Sequence, residues 1–284
     1  MPMVMKFGGT SVADAAAFEN VARIVAAERE ALPVVVVSAM SGVTDSLLAA
    51  TVDSTVASLK PAFDRHNAVA KELLSESQAV GFVNQVSTAA EHAGELLRAS
   101  KQNPAQRKIL QDAVVSLGEM LSSALLAEVL NQRGIQARQV DARRCIITDE
   151  QHTCAEPLMA ETFSSCQREL RPVLEANVVP VLGGFIGATT GGATTTLGRG
   201  GSDYTAAIVG AALRAPRNTD LDRRHRSINC RSASSSRGAN CRAPVVQRSS
   251  GACLLRRESP APKNNSTGNR EFYSGADLQF AIAR

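Results

Sequence analysis

Four consecutive valines, Val34-Val35-Val36-Val37, constrain the fold more than any other feature of this chain. A β-branched run without polar alternation forms a strand covered on both faces, because a solvated face would demand a polar residue at every second position. Met3-Val4-Met5-Lys6-Phe7 and Val178-Val179-Pro180-Val181-Leu182 read as strands too, each ended by paired glycines, Gly8-Gly9 and Gly183-Gly184. Helical periods lie between them, over residues 14–30, most of 46–100, 113–131 and 161–175; residues 136–140 and 145–148 read as short strands. This alternation predicts an α/β chain, a mostly parallel sheet with helices on both faces.

The strands run into loops suited to anions. Lys6-Phe7-Gly8-Gly9-Thr10-Ser11 follows the first, and Val34–Val37 ends in the small polar turn Ser38-Ala39-Met40-Ser41-Gly42. Further on, Gly198-Arg199-Gly200-Gly201-Ser202-Asp203 leads straight into a helix over residues 204–213. A glycine loop at a helix N-terminus offers free N–H groups and the positive end of a dipole. Two such loops, about 190 residues apart, predict a phosphate held from two sides. Neither the dinucleotide fingerprint Gly-x-Gly-x-x-Gly nor the P-loop Gly-x-x-x-x-Gly-Lys-Ser/Thr is present.

Charge divides the chain. Residues 1–214 hold 18 Lys+Arg against 22 Asp+Glu, a balance of −4, whereas residues 215–284 hold 13 against 5, a balance of +8. That second segment has ten Ser and twelve Arg and no sustained apolar period, a composition that predicts disorder. Clustered arginine also suits a nucleic-acid arm, but aromatic residues are too sparse for stacking, so nucleic acid is not the expected partner. Six cysteines form no Cys-x-x-Cys pair and read as reduced thiols; no metal-ligand spacing occurs. The absence of a signal sequence or an 18-residue apolar run predicts a cytoplasmic protein without membrane partners. The four histidines have no Ser or Cys arrangement for a hydrolytic triad.

Phosphoryl transfer to a small acid needs phosphate neutralisation, a grip on the acceptor and stabilisation of the moving charge. Lys6, beside Gly8-Gly9, suits the phosphate, and Arg199 can clamp a carboxylate with its planar fork. Glu119, inside a helix, has the charge to receive an ammonium group. Asp203 suits a helix N-terminus on dipole grounds alone.

Together, these segments resemble the aspartate kinases of the amino-acid kinase family. The matching pieces are Lys6 to Val12, Val37 to Thr44, Ser116-Leu117-Gly118-Glu119, Gly184-Phe185-Ile186-Gly187 and Thr194 to Ala206, spread across residues 1–214. The resemblance implies a three-layer αβα sandwich and transfer of the ATP γ-phosphoryl group to the β-carboxylate of L-aspartate, the entry to lysine, threonine and methionine synthesis. By motif, Lys6 would bind phosphate and offset transition-state charge, with Gly8, Gly9 and Ser11 lining the phosphates. Ser38 and Thr44 would contact aspartate, Glu119 its ammonium and Arg199 its α-carboxylate, with Ser202 alongside. Asp203 would organise the phosphate side, Mg²⁺ would travel with ATP, and the intact family admits a homo-oligomer. Alternatives are a kinase for another small acid, or a non-catalytic protein with a basic nucleic-acid-binding tail.

The family continues with a nucleotide-binding strand ending Thr-Asp-Val, a Gly-Ala-Lys-Val-Leu-His-Pro segment and ACT domains, none of which is visible here. Back-translating residues 217–233 and reading one nucleotide later, however, can give Glu-Ile-Gln-Ile-Trp-Thr-Asp-Val-Thr-Gly-Val. The same shift over 251–270 can give Tyr-Phe-Gly-Ala-Lys-Val-Leu-His-Pro. A frameshift between about 214 and 217 is therefore expected, making 215–284 an out-of-frame tail. The truncated domain would expose a bare sheet edge, fold poorly and show weak or absent kinase activity.

Overall fold

The computed structural model describes residues 2–53, 56–214, 218–220, 245–249 and 252–256. They fall in two compact units, Met1–Arg224 and His225–Arg284. The first contains strands β1 (Met3–Phe7), β2 (Pro33–Val37), β3 (Ala137–Val140), β4 (Ile147–Thr148), β5 (Val179–Gly183), β6 (Ile186–Thr189), β7 (Thr194–Thr196) and β8 (Asn218–Asp220). Its helices are α1 (Ala15–Ala27), α2 (Val43–Asp53), α3 (Lys60–Leu73), α4 (Glu76–Gln102), α5 (Arg107–Gln132), α6 (Met159–Glu175) and α7 (Gly201–Leu213).

The main sheet runs β3-β5-β2-β1-β8, with every neighbouring pair parallel. Strand pleating divides its side chains between two cores. Met3, Met5, Phe7, Val35, Val37, Val179 and Val181 pack with α1 to α5, whereas Val4, Val34, Val36 and Leu182 pack with α6 and α7. The chain is thus a three-layer αβα sandwich, as the unbroken apolar strands predict. Register decides where a ligand can sit: Phe7 lies opposite Val37, and Val37 opposite Gly183. The turns leaving β1, β2 and β5 therefore emerge side by side at the carboxyl edge, where open parallel sheets bind ligands.

Several expectations change in detail. The helical stretch over 46–100 is three helices, broken by the 3-10 turn Val56–Leu59 and by the extended Ser75. A small second sheet, β4-β6-β7, contains the short strand expected over 145–148 and adds two strands, β6 and β7, that were not expected. β6 and β7, of four and three residues, carry too little periodicity of their own to register; pairing defines them. The sheet ends not at β1 but at β8, with Asn218, Thr219 and Asp220 opposite Val4, Met5 and Lys6. Helix α5 lies in a segment apolar and long enough to span a bilayer, yet 83% of its most apolar window is buried inside the protein. It serves as a core helix. Cys145, Cys154 and Cys166 are free thiols.

In the second unit, β9 (Val245–Ser249) and β10 (Ala252–Arg256) pair antiparallel. These two strands depart from the disorder expected over 215–284; the rest of that expectation, beyond 218–220, lies outside the described residues.

Candidate active site

Strand alternation carries Lys6 to the α7 side of the sheet, and there its Nζ lies 2.8 Å from Asp203 Oδ1. Lys6 is 7% exposed. Asp203 stands in the first turn of α7, where the helix dipole favours a carboxylate. This ion pair joins the two glycine loops that the sequence separates by almost the whole domain. Two further features close the gap. Gly200 caps α7 with φ +76°, a left-handed conformation that suits glycine. A Cβ on Gly184 would lie 2.7 Å from Ser202 Cβ, so only glycine lets the turn after β5 press against the start of α7.

Beside Lys6, the turn after β1 folds tightly. Gly8 is buried and its carbonyl accepts from the Ser11 N–H at 2.9 Å, inside the 3-10 turn Gly9–Val12. The Gly9 carbonyl accepts from the Ser41 N–H at 3.1 Å, and the Phe7 carbonyl from the Ser38 N–H at 3.0 Å. The turns after β1 and β2 are thereby one unit, with Ser11 and Ser38 both partly exposed in it.

Glu119 reaches the same edge from the middle of α5. It is 3% exposed, and a Cβ on Gly183 would come within 3.0 Å of its Cβ. Burial pushes its carboxyl up to about 8, although the Ala39 N–H and the Thr44 hydroxyl donate to it and oppose that rise. Its Oε2 has no hydrogen-bond partner. A buried oxygen left without a partner is costly, and it is free to take a donor that arrives from outside. A substrate ammonium would both fill the gap and restore the carboxylate charge. Arg199, in contrast, is exposed on the loop between β7 and α7, four residues before Asp203.

The structure adds residues that the sequence did not single out. Asp112, at the start of α5, is 1% exposed and its carboxylate takes three donors. Thr196 Oγ1 donates to Oδ1 at 2.7 Å, and the Thr153 N–H and His152 Nδ1–H donate to Oδ2, each at 2.9 Å. This knot anchors β7 three residues before Arg199. Arg65 and His66 on α3 also touch the site's framework. Each lay in a helix that reads as partly solvated, and nothing local marked them. Among the described residues no group of three or more His, Cys, Asp or Glu is placed to hold a metal ion.

Comparison with known proteins identifies the family. The family model described as the amino acid kinase family matches residues 1–219. The chain is 37% identical over 217 residues to an aspartokinase of Chlamydia muridarum, covering 75% of this chain and 46% of that one. It is 36% identical over 219 residues to the lysine-sensitive aspartokinase 3 of Escherichia coli, covering 76% and 47%. The crystal structure of E. coli aspartokinase III in complex with aspartate and ADP superposes with a TM-score of 0.71 at 34% identity, covering 78% of this chain and 48% of that one. The chain spans about half the length of the relatives it matches. Paired glycine turns, a lysine–aspartate bridge between them and a matching profile over more than three-quarters of the length lead to one conclusion: this chain belongs to the amino acid kinase family.

Proposed function

We propose that residues 1–214 form the acceptor and phosphate half of an aspartate kinase site, which transfers the ATP γ-phosphoryl group to the β-carboxylate of L-aspartate. The observation that carries this reading is the open, buried Glu119 oxygen on the same strand edge as the Lys6–Asp203 pair. Glu119 takes the α-ammonium, with Ser38, Thr44 and Ser202 beside it, and Arg199 swings in from solvent to clamp the α-carboxylate. The β-carboxylate oxygen then attacks the γ-phosphorus, an O–P bond forms, and the bond to the β-phosphate bridging oxygen breaks as ADP leaves. Lys6 neutralises the charge on the moving phosphoryl group, and the backbone of Gly8, Gly9 and Ser11 lines the phosphates. Asp203 holds Lys6 in place between turnovers. Mg²⁺, carried by the nucleotide rather than by a carboxylate cluster of the described residues, would neutralise phosphate charge beside Lys6.

The aspartokinase relatives and the fold match support an aspartate acceptor over other small acids, and nothing favours a nucleic-acid-binding role. A cytoplasmic location and homo-oligomerisation of the intact protein belong to the same proposal. So does the out-of-frame tail, supported by a family match that ends at residue 219; sequencing the DNA across codons 214–217 tests it, and it fails if no one-base shift restores the family segments.

The acceptor assignment is tested by calorimetric titration of the chain with L-aspartate, succinate and β-alanine. Only L-aspartate, which carries both the ammonium and the α-carboxylate, should bind well. Equal binding of succinate would overturn the role of Glu119. Hydroxamate trapping of aspartyl phosphate checks turnover, which is expected to be weak or absent in this chain.

A further inference from the structure

Arg65 lies outside every motif that marks the site, yet its side chain holds two site turns at once. Its Nη1 donates to the Ser41 carbonyl at 2.6 Å, and its Nη2 to the Ala13 carbonyl at 3.1 Å. Ser41 belongs to the turn after β2, which carries Ser38 and leads into Thr44. Ala13 ends the turn after β1, which carries Ser11. One guanidinium therefore bridges a segment assigned to the phosphates and a segment assigned to the acceptor. An exposed arginine on a helix ordinarily hangs in water and contributes little. Here the two acceptors lie 24 and 52 residues away in sequence, and both are backbone carbonyls, so the fork reads the spacing of the two turns rather than a neighbouring charge. Lysine, a single point charge on a flexible stem, cannot reproduce that planar two-point grip.

The next residue strengthens the placement. His66 is fully buried, its Nδ1–H donates to the Ala62 carbonyl at 2.8 Å, and the backbone of Gly118 lies beside its ring, one residue before Glu119. Helix α3 thus touches all three carriers of the site: the turn after β1, the turn after β2, and the middle of α5.

We propose that Arg65 is a positioning residue that couples the phosphate turn to the acceptor turn, so that occupancy of one raises affinity at the other. The inference rests on the aspartate kinase reading above. With Arg65 in place, ordering of Gly8 to Ala13 by a triphosphate is passed to the Ser38–Thr44 turn before aspartate arrives. Without it, the backbone hydrogen bonds from Ser38 to Phe7 and from Ser41 to Gly9 still join the two turns.

The test uses the full 284-residue chain as wild type, Arg65→Lys and Arg65→Gln. Amide hydrogen exchange is followed in peptides covering residues 8–14 and 38–44, and L-aspartate affinity is measured by calorimetry with and without ATP. In Arg65→Gln, exchange should quicken in both turns together while peptides of α5 and β5 keep their wild-type rates. ATP should tighten L-aspartate binding of the wild type about fivefold or more, and that ratio should fall towards one in Arg65→Gln, with Arg65→Lys no better than intermediate. A purely structural arginine would lower thermal stability and leave the ratio unchanged, and that result overturns the coupling. If the wild type takes neither ligand, the kinase reading fails. The exchange data then decide the clasp alone: quickening in both turns upholds it, and unchanged exchange, or quickening in one turn only, overturns it.

Discussion

Helix α5 carries two buried carboxylates seven positions apart, Asp112 and Glu119, and they have opposite fates. Both are raised in pKa by burial. Asp112 is surrounded by donors from Thr196, Thr153 and His152, and its hydrogen bonds tie β7 and the 148–156 loop to the helix. Glu119, about two turns further along, keeps one oxygen without any partner. The difference shows that burial of a charge does not identify a ligand site. Satisfaction separates the two: Asp112 has its oxygens filled by donors from the protein, whereas Glu119 keeps an oxygen open, which is why the proposed function gives it the ammonium.

The largest effect that should separate them is on binding. Replacing Glu119 with Gln is expected to weaken L-aspartate by about 100-fold or more, since loss of one partner in a buried charge pair costs on the order of 2–5 kcal/mol, as calorimetry will show. Next comes stability, where the two carboxylates should act with opposite sign. Asp112→Ala strands three buried donors and should remove roughly 3 kcal/mol, which lowers the melting temperature by about 6–12 °C. Glu119→Gln should instead raise the melting temperature of the unliganded chain at pH 8. The folded pKa of Glu119, about 8, stands above the unfolded value, 4.5, so its contribution to stability is complete below 4.5 and disappears as pH rises through 8. Below pH 4.5 the variant should lose that advantage. A fall in stability for both variants at pH 8 would erase the distinction drawn here.

A smaller effect follows from the same protonation. At about pH 6.5, arrival of an ammonium group should expel close to one proton from Glu119, and well above pH 8 none, as seen by titrating in buffers of different ionisation enthalpy. His66 offers the smallest and most discriminating check. Its Nε2 is also without a partner, but burial lowers its pKa to about 4, so it stays a neutral ring. Its contribution is present above 6.5 and is lost as pH falls towards 4. His66→Phe should flatten that acid limb by on the order of 1–2 kcal/mol in denaturant melts, while the alkaline behaviour due to Glu119 persists.

Much of this was legible before any coordinates. Val34–Val37 announced a doubly covered strand, and the Gly8-Gly9 and Gly198–Gly201 turns announced anion loops, because strand period, turn conformation and helix start depend on residues a few positions apart. The short strands β6 and β7 were not, since their signal is the partner across the ladder rather than their own pattern. Arg65 and Asp112 were equally silent: nothing near either in sequence reveals the Ser41 carbonyl or the Thr196 hydroxyl. The layers, the strand ends and the chemical types gathered at the carboxyl edge follow from the order of residues along the chain. Which acid is filled and which is open, and which arginine clasps two turns, follow from packing in three dimensions. Desolvation and hydrogen-bond satisfaction depend on neighbours in space, and long-range packing chooses those neighbours.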